Sequence, residues 1–162
     1  MSFSIETDRL SLRLRGVEDA ECNLALLAEQ KGGTTATLED IRESLVRQRS
    51  RAVTDGIGLL SVRRRAEGDR IGYCGLIIGR GSFEEPEIAY ELLPRVHGRG
   101  YATEAAQAVL EAALATGRRR IWSTVRAWNK PSLRVLEKIG FAWDHSVIDD
   151  RGELIYMVCD AR

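Results

Sequence analysis

Three strand-like segments follow one another between residues 56 and 93 with no helix between them, and helical patterns lie on both sides. Residues 56–62 and 71–78 are rich in Leu, Val and Ile and flank the polar run Ala66-Glu67-Gly68-Asp69, which reads as a turn. Residues 86–93 form a third segment, stopped by Pro94, whose nitrogen carries no hydrogen for a sheet ladder. Strands that succeed one another through short turns pair antiparallel, whereas a doubly wound parallel sheet places a helix after every strand. The order therefore excludes the doubly wound class and predicts an α+β domain with a mixed, mostly antiparallel sheet.

The flanking patterns complete the sheet. Leu10, Leu12 and Leu14 alternate with Arg9, Ser11, Arg13 and Arg15, the period of a half-buried strand. A helix is predicted over 18–30, with Ala20, Leu24, Leu27 and Ala28 on one face. Thr37 followed by Asp40 is a capping signal for a second helix carrying Leu38, Ile41 and Leu45. Helical spacing returns over 101–116 and ends at Gly117; a strand follows at 121–125. Asn129 caps a short helix that tolerates Pro131 in its first turn and ends at Gly140. Residues 141–147 and 154–159 close the chain as a hairpin across Asp149-Asp150-Arg151-Gly152. The predicted order is β-α-α-β-β-β-α-β-α-β-β: seven strands and about four helices in one domain over 1–162, its core about 7–160.

Composition narrows the function. Twenty-four basic side chains balance twenty-four acidic ones, so no nucleic-acid or membrane partner is expected. No apolar stretch approaches the ~18 residues of a transmembrane helix. Glu6, Asp8, Arg9 and Arg13 near the start do not read as a secretory signal. Cys22, Cys74 and Cys159 lack metal-ligand spacing; reduced thiols, a cytoplasmic setting and no metal are expected. The eight Arg within 42–70 are interleaved with acids and read as solvated surface. The four Glu of 84–91 stand without a base, and Glu84, Glu85 and Glu91 form a candidate anionic rim for a cationic amine.

The segment with most chemistry is Leu92-Leu93-Pro94-Arg95-Val96-His97-Gly98-Arg99-Gly100-Tyr101-Ala102, which joins a strand to a long helix. The first amides of a helix lack intrahelical acceptors, and the dipole there is positive, so this junction suits a diphosphate. Gly98 and Gly100 permit close approach to the main chain, and Arg95 and Arg99 are expected to add charge. No Gly-Lys-Ser/Thr follows, and the G-x-G-x-x-G spacing is absent, so neither a P-loop nor a dinucleotide fingerprint is present.

The run Arg95-x-x-Gly98-x-Gly100 resembles the acetyl-CoA motif of the GNAT superfamily of N-acetyltransferases. Thr7-Asp8-Arg9-Leu10-Ser11-Leu12-Arg13 resembles the opening strand of its ribosomal-protein-alanine acetyltransferase (Rim-type) branch. Glu87-Ile88-Ala89-Tyr90-Glu91-Leu92 is similar to that branch's fourth strand, with Ala where Gly is commoner. Asn129-x-x-Ser132, followed by Leu136-Glu137-Lys138-Ile139-Gly140-Phe141, resembles its C-terminal motif. The resemblance spans about residues 5–160 and implies the GNAT fold, with CoA between two splayed strands. It also implies transfer of acetyl from acetyl-CoA, as co-substrate, to a primary amine of a protein N-terminus or a small molecule. Monomer and homodimer are both compatible with it. The alternative is a non-catalytic acyl-CoA-binding module serving as sensor or partner platform.

Site roles follow from the same resemblance. Glu87 matches a position where some members carry a catalytic base; the competing reading is a structural carboxylate. Leu92 and Leu93 stand where a backbone amide receives the thioester carbonyl. Arg95, Val96, His97, Gly98, Arg99, Gly100, Tyr101 and Ala102 form the phosphate loop, with His97 offering its backbone. Asn129 is placed on the pantetheine arm and Ser132 near the sulfur as acid, although helix capping also explains both. Tyr90, Tyr101 and Tyr156 are rival acids, His145 reads as an ordinary strand histidine, and Trp122, Trp128 and Trp143 as core or groove walls.

Overall fold

A computed structural model describes residues 1–161. One mixed sheet holds eight strands in the order β1-β2-β3-β4-β5-β6-β8-β7. The strands are β1 (Ser4–Glu6), β2 (Leu10–Leu14), β3 (Leu59–Arg64), β4 (Arg70–Ile77), β5 (Glu87–Leu92), β6 (Arg120–Arg126), β7 (Ala142–Asp149) and β8 (Gly152–Asp160). The helices are α1 (Ala20–Glu29), α2 (Leu38–Asp55), α3 (Tyr101–Leu114) and α4 (Lys130–Lys138). All neighbouring strands are antiparallel except β5 and β6.

The expected count of seven strands is corrected by β1, a three-residue edge strand on β2. Its alternation is confined to Phe3 and Ile5, both half-buried against the main core, which is too short a run to stand out from sequence. Strand β3 also begins later than expected. Gly56 closes α2 in the left-handed region (φ 71°), where its amide bonds the Ala52 carbonyl, so the chain straightens only beyond it.

Residue alternation assigns the two faces of the sheet. Leu10, Leu12, Leu60, Val62, Cys74, Leu76 and Ile88 pack against the small side chains Ala105, Ala106 and Ala113 and against Val109 of α3. The four alanine-sized and branched residues let α3 lie close over the central strands. Burial pushes the Cys74 thiol well above its ordinary range, so it packs as an apolar group. Helices α1 and α2 share a smaller cluster built on Ala20, Ile41 and Leu45. Thr37 caps α2, its hydroxyl accepting from the Asp40 amide while the Asp40 carboxylate accepts from the Thr37 amide at 2.8 Å. Asp19, buried at the start of α1, accepts from the Gly16 amide (2.9 Å), the Ser61 hydroxyl and Arg70 (3.0 Å), tying that helix to β3 and β4.

Replacing Leu12, fully buried between β2 and α3, by Ala should cost about 2–5 kcal/mol in urea unfolding. Thr37→Ala should cost about 1 kcal/mol. A Leu12→Ala loss no larger than that of Thr37→Ala would contradict this assignment of the core.

Candidate active site

The site begins where two strands part. Parallel β5 and β6 share one register pair, Glu87 with Trp122, supported by the Trp122 amide on the Pro86 carbonyl at 2.9 Å. Beyond it a side chain replaces the ladder, the Ser123 hydroxyl donating to the Ile88 carbonyl at 3.2 Å. Farther along, Tyr90 reaches from β5 to α4. Its hydroxyl donates to the Ser132 carbonyl (3.0 Å) and lies 2.9 Å from Ser132 Oγ. With the phenolic proton on that carbonyl, the Ser132 hydroxyl is left to donate to the Tyr90 oxygen. Burial pushes the Tyr90 phenol above its usual range, so it stays protonated.

The main-chain groups of β5 divide between two sides. The Leu93 amide donates to the Ile71 carbonyl at 2.8 Å and is thus spent on β4. Antiparallel alternation then turns the amides of Leu92 and Tyr90 toward the gap. Of the two amides expected from sequence, Leu92 alone faces the gap, and Tyr90 joins it.

The loop beyond Leu92 is built as an anion cradle at its helix end. Gly98 and Gly100 adopt φ 75° and 81°, the left-handed region. The amides of Gly100, Tyr101, Ala102 and Thr103 donate to no acceptor among the described residues, and Gly100 gives α3 no side-chain cap. A Cβ on Gly98 would meet nothing within 4 Å, so its outer face is open. These groups fit a diphosphate.

Several side chains act otherwise than their spacing suggests. Arg95 is paired with Asp69 in the turn before β4 (2.7 Å), so its charge is committed. Asp69 also binds Arg64 at 2.7 Å, and the two guanidinium groups hold its carboxyl down to about 2. The His97 amide, expected to serve the phosphate, donates instead to the Pro94 carbonyl at 3.1 Å, and its ring is engaged as well. Its Nε2 lies 2.7 Å from the Leu92 carbonyl, which only accepts, so that nitrogen carries the proton. Val96 is a buried anchor beneath the loop. Tyr101 packs below the guanidinium of Arg9, 4.5 Å from ring centroid to Cζ. Asn129 caps α4 by accepting from the Ser132 amide at 3.3 Å.

Glu87 stands at the closed end of the gap and is 4% exposed. Its carboxylate accepts from the Arg80 amide and from the Thr124 hydroxyl, the latter at 2.9 Å. Beside it lies a cleft of about 310 Å³ walled by Trp122, His145 and Tyr156 and floored by Glu85 and Glu87. His145 stacks on Tyr156 (4.2 Å between centroids), and its Nδ1 is 2.6 Å from Asp144. The Trp122 indole donates to Glu85 at 3.0 Å. A second cleft of about 610 Å³ opens under α1 and α2 on the same sheet face. There Glu91 accepts from Tyr73 (3.1 Å) and Gln30 (3.3 Å). Trp128 and Trp143, expected as walls, are exposed on the surface instead. The Glu87–Thr124, Tyr90–Ser132 and Asp69–Arg95 contacts were not legible as pairs, because each joins segments far apart in the chain.

The model of the acetyltransferase (GNAT) domain matches residues 9–142. The chain belongs to the GNAT acetyltransferase family. It is therefore an acetyl-CoA-dependent acyltransferase, and the non-catalytic alternative is set aside. Among solved structures, a GNAT-family acetyltransferase from Bacillus anthracis superposes with a TM-score of 0.77 at 23% identity, covering 97% of this chain and 98% of that one. The ribosomal-protein-S5-alanine acetyltransferase of Vibrio fischeri gives 0.79 at 19%, covering 98% and 97%. The microcin C7 self-immunity acetyltransferase, solved with acetyl-CoA and AMP, gives 0.80 at 13%, covering 96% and 94%. These likenesses share the fold with the Rim-type branch. Among curated proteins no sequence matches significantly.

Gly98→Asp should raise the Kd for acetyl-CoA at least about a hundredfold (~2.7 kcal/mol) in calorimetry, by placing a carboxylate in the cradle. Unchanged affinity would remove the loop from the binding site.

Proposed function

We propose that this GNAT acetyltransferase transfers acetyl to a primary amine presented beside Glu87, with the carrier's diphosphate on the loop Arg95–Ala102. The parting of β5 and β6 carries the reading. It leaves a carboxylate at the closed end of the gap, inward amides along β5, and free helix amides at the open end.

Each group then has a task. The loop amides from Gly98 to Ala102 hold the diphosphate, and Asn129 supports the pantetheine arm. The Leu92 amide donates to the thioester carbonyl as charge grows on its oxygen. The amine nitrogen forms the new bond to the carbonyl carbon, the carbon–sulfur bond breaks, and the amine's surplus proton passes to Glu87. Each Glu87 oxygen accepts one hydrogen bond and keeps a second lone pair, so the carboxylate takes the proton directly or through a water in the 310 Å³ cleft beside it. Ser132 turns its hydroxyl from the Tyr90 oxygen to the departing sulfur, gives it a proton and recovers one from solvent.

The acceptor's own acidity sets how much the base contributes. An α-amine of pKa about 8 costs about 1 kcal/mol to deprotonate at pH 7, a lysine-type amine roughly 4–5 kcal/mol. Protein N-termini and small amines both fit the reading. The protein-N-terminal option is supported by the fold shared with the ribosomal-protein acetyltransferase of Vibrio fischeri.

A free-thiol release screen with acetyl-CoA against N-terminal peptides, polyamines, amino acids and aminoglycosides should identify the acceptor class. With that acceptor, Glu87→Gln should lower kcat about 10²–10⁴-fold and leave the Kd for acetyl-CoA unchanged. An unaltered pH–rate profile in this variant would exclude Glu87 as the base.

A further inference from the structure

The segment Thr7-Asp8-Arg9 takes no part in the chemistry above, yet it touches the phosphate loop. Arg9 immediately precedes β2 and meets residues around the start of α3 that lie about ninety positions away in the chain. Its amide and its Nε both donate to the Glu104 carboxylate, at 2.9 Å and 2.6 Å. Thr7 donates to the same carboxylate at 2.6 Å. The Nη1 nitrogen of Arg9 donates to the Arg99 carbonyl at 2.9 Å, and the guanidinium lies over the Tyr101 ring. Nη2 donates to no acceptor among the described residues. It lies 3.4 Å from where a Cβ on Gly100 would stand, directly beside the free amides of the cradle.

Charge sharpens the point. Arg95, the basic residue that begins the loop, is neutralised by Asp69. Glu104 lies in the first turn of α3, where an uncompensated carboxylate would repel a bound phosphate. Arg9 cancels that charge, fixes the loop through the Arg99 carbonyl, and still has N–H groups to give.

We infer that Arg9 is a phosphate-binding residue of this enzyme, oriented by Glu104 and Thr7, and that its Nη2 donates to the diphosphate seated on Gly98–Ala102. The inference rests on the assignment of that loop to the carrier's diphosphate. Glu104 and Thr7 are positioning residues in it, since they act through Arg9.

The test compares two acetyl donors with one acceptor, acetyl-CoA and the phosphate-free acetyl-pantetheine. Arg9→Gln should raise KM for acetyl-CoA about tenfold with kcat little changed, and leave kcat/KM for acetyl-pantetheine as in the unaltered enzyme. Arg9→Gln combined with Glu104→Gln should recover part of the lost affinity, because the exposed carboxylate is removed together with its partner. Equal losses with both donors would show that Arg9 only supports the fold and would overturn the inference, as would an unchanged KM for acetyl-CoA. If the unaltered enzyme shows no preference for acetyl-CoA over acetyl-pantetheine, the loop assignment itself fails, independently of Arg9.

Discussion

The site depends on a break in the hydrogen-bond ladder between two parallel strands. Buried backbone amides and carbonyls must find partners, and a sheet ordinarily supplies them strand to strand. Here β5 and β6 share one register pair and then diverge, so β5 becomes an internal edge. Side chains satisfy part of that edge: Ser123 takes the Ile88 carbonyl and His97 takes the Leu92 carbonyl. What is left over is chiefly donors, the amides of Tyr90 and Leu92. A groove lined by inward N–H groups is suited to an extended polar arm and a carbonyl on which negative charge develops. The break therefore makes the cleft and also sets its chemical polarity.

The groove ends on a loop that several distant elements hold in place. Val96 is buried beneath it, His97 bonds back to β5, Asp69 restrains Arg95 from the β3–β4 turn, and Arg9 restrains the Arg99 carbonyl from the start of β2. Preorganisation of this kind lowers the ordering cost that would otherwise be charged against binding. It also explains why basic residues of the loop do not all point at the ligand. An exposed Arg gains little from a single screened ion pair, but an Arg paired to a carboxylate held at about 2 remains locked throughout the neutral range. Because that carboxyl is depressed from 3.8, its contribution is present above about pH 4 and fades as the pH falls through 2.

Local patterns told much of this from sequence. The Leu10-Leu12-Leu14 alternation, the Thr37 cap with Asp40, the Asn129 cap with Ser132 and the strand stop before Pro94 each depend on neighbours within a few residues, and each is found in the structure. The motif Arg95-x-x-Gly98-x-Gly100 identified the family for the same reason, since a turn of left-handed glycines before a helix is encoded locally. Strand β1 escaped because three residues at a sheet edge carry too short a period, and Trp128 and Trp143 misled because an aromatic side chain does not announce its own exposure.

The sequence by itself determined the class of the fold, the order of its elements apart from β1, the family and the glycine turn that opens α3. All of these arise from periodicity, capping and backbone conformation within short windows. Only the tertiary structure decided which groups act together: Tyr90 with Ser132, Glu87 with Thr124, Asp69 with Arg95, and Arg9 with Glu104 and the phosphate loop. Those pairs join residues 26 to 95 positions apart. Their distances follow from sheet order and register, which are set by long-range packing against α3, and a one-residue slip in β5 would turn Glu87 to the other face.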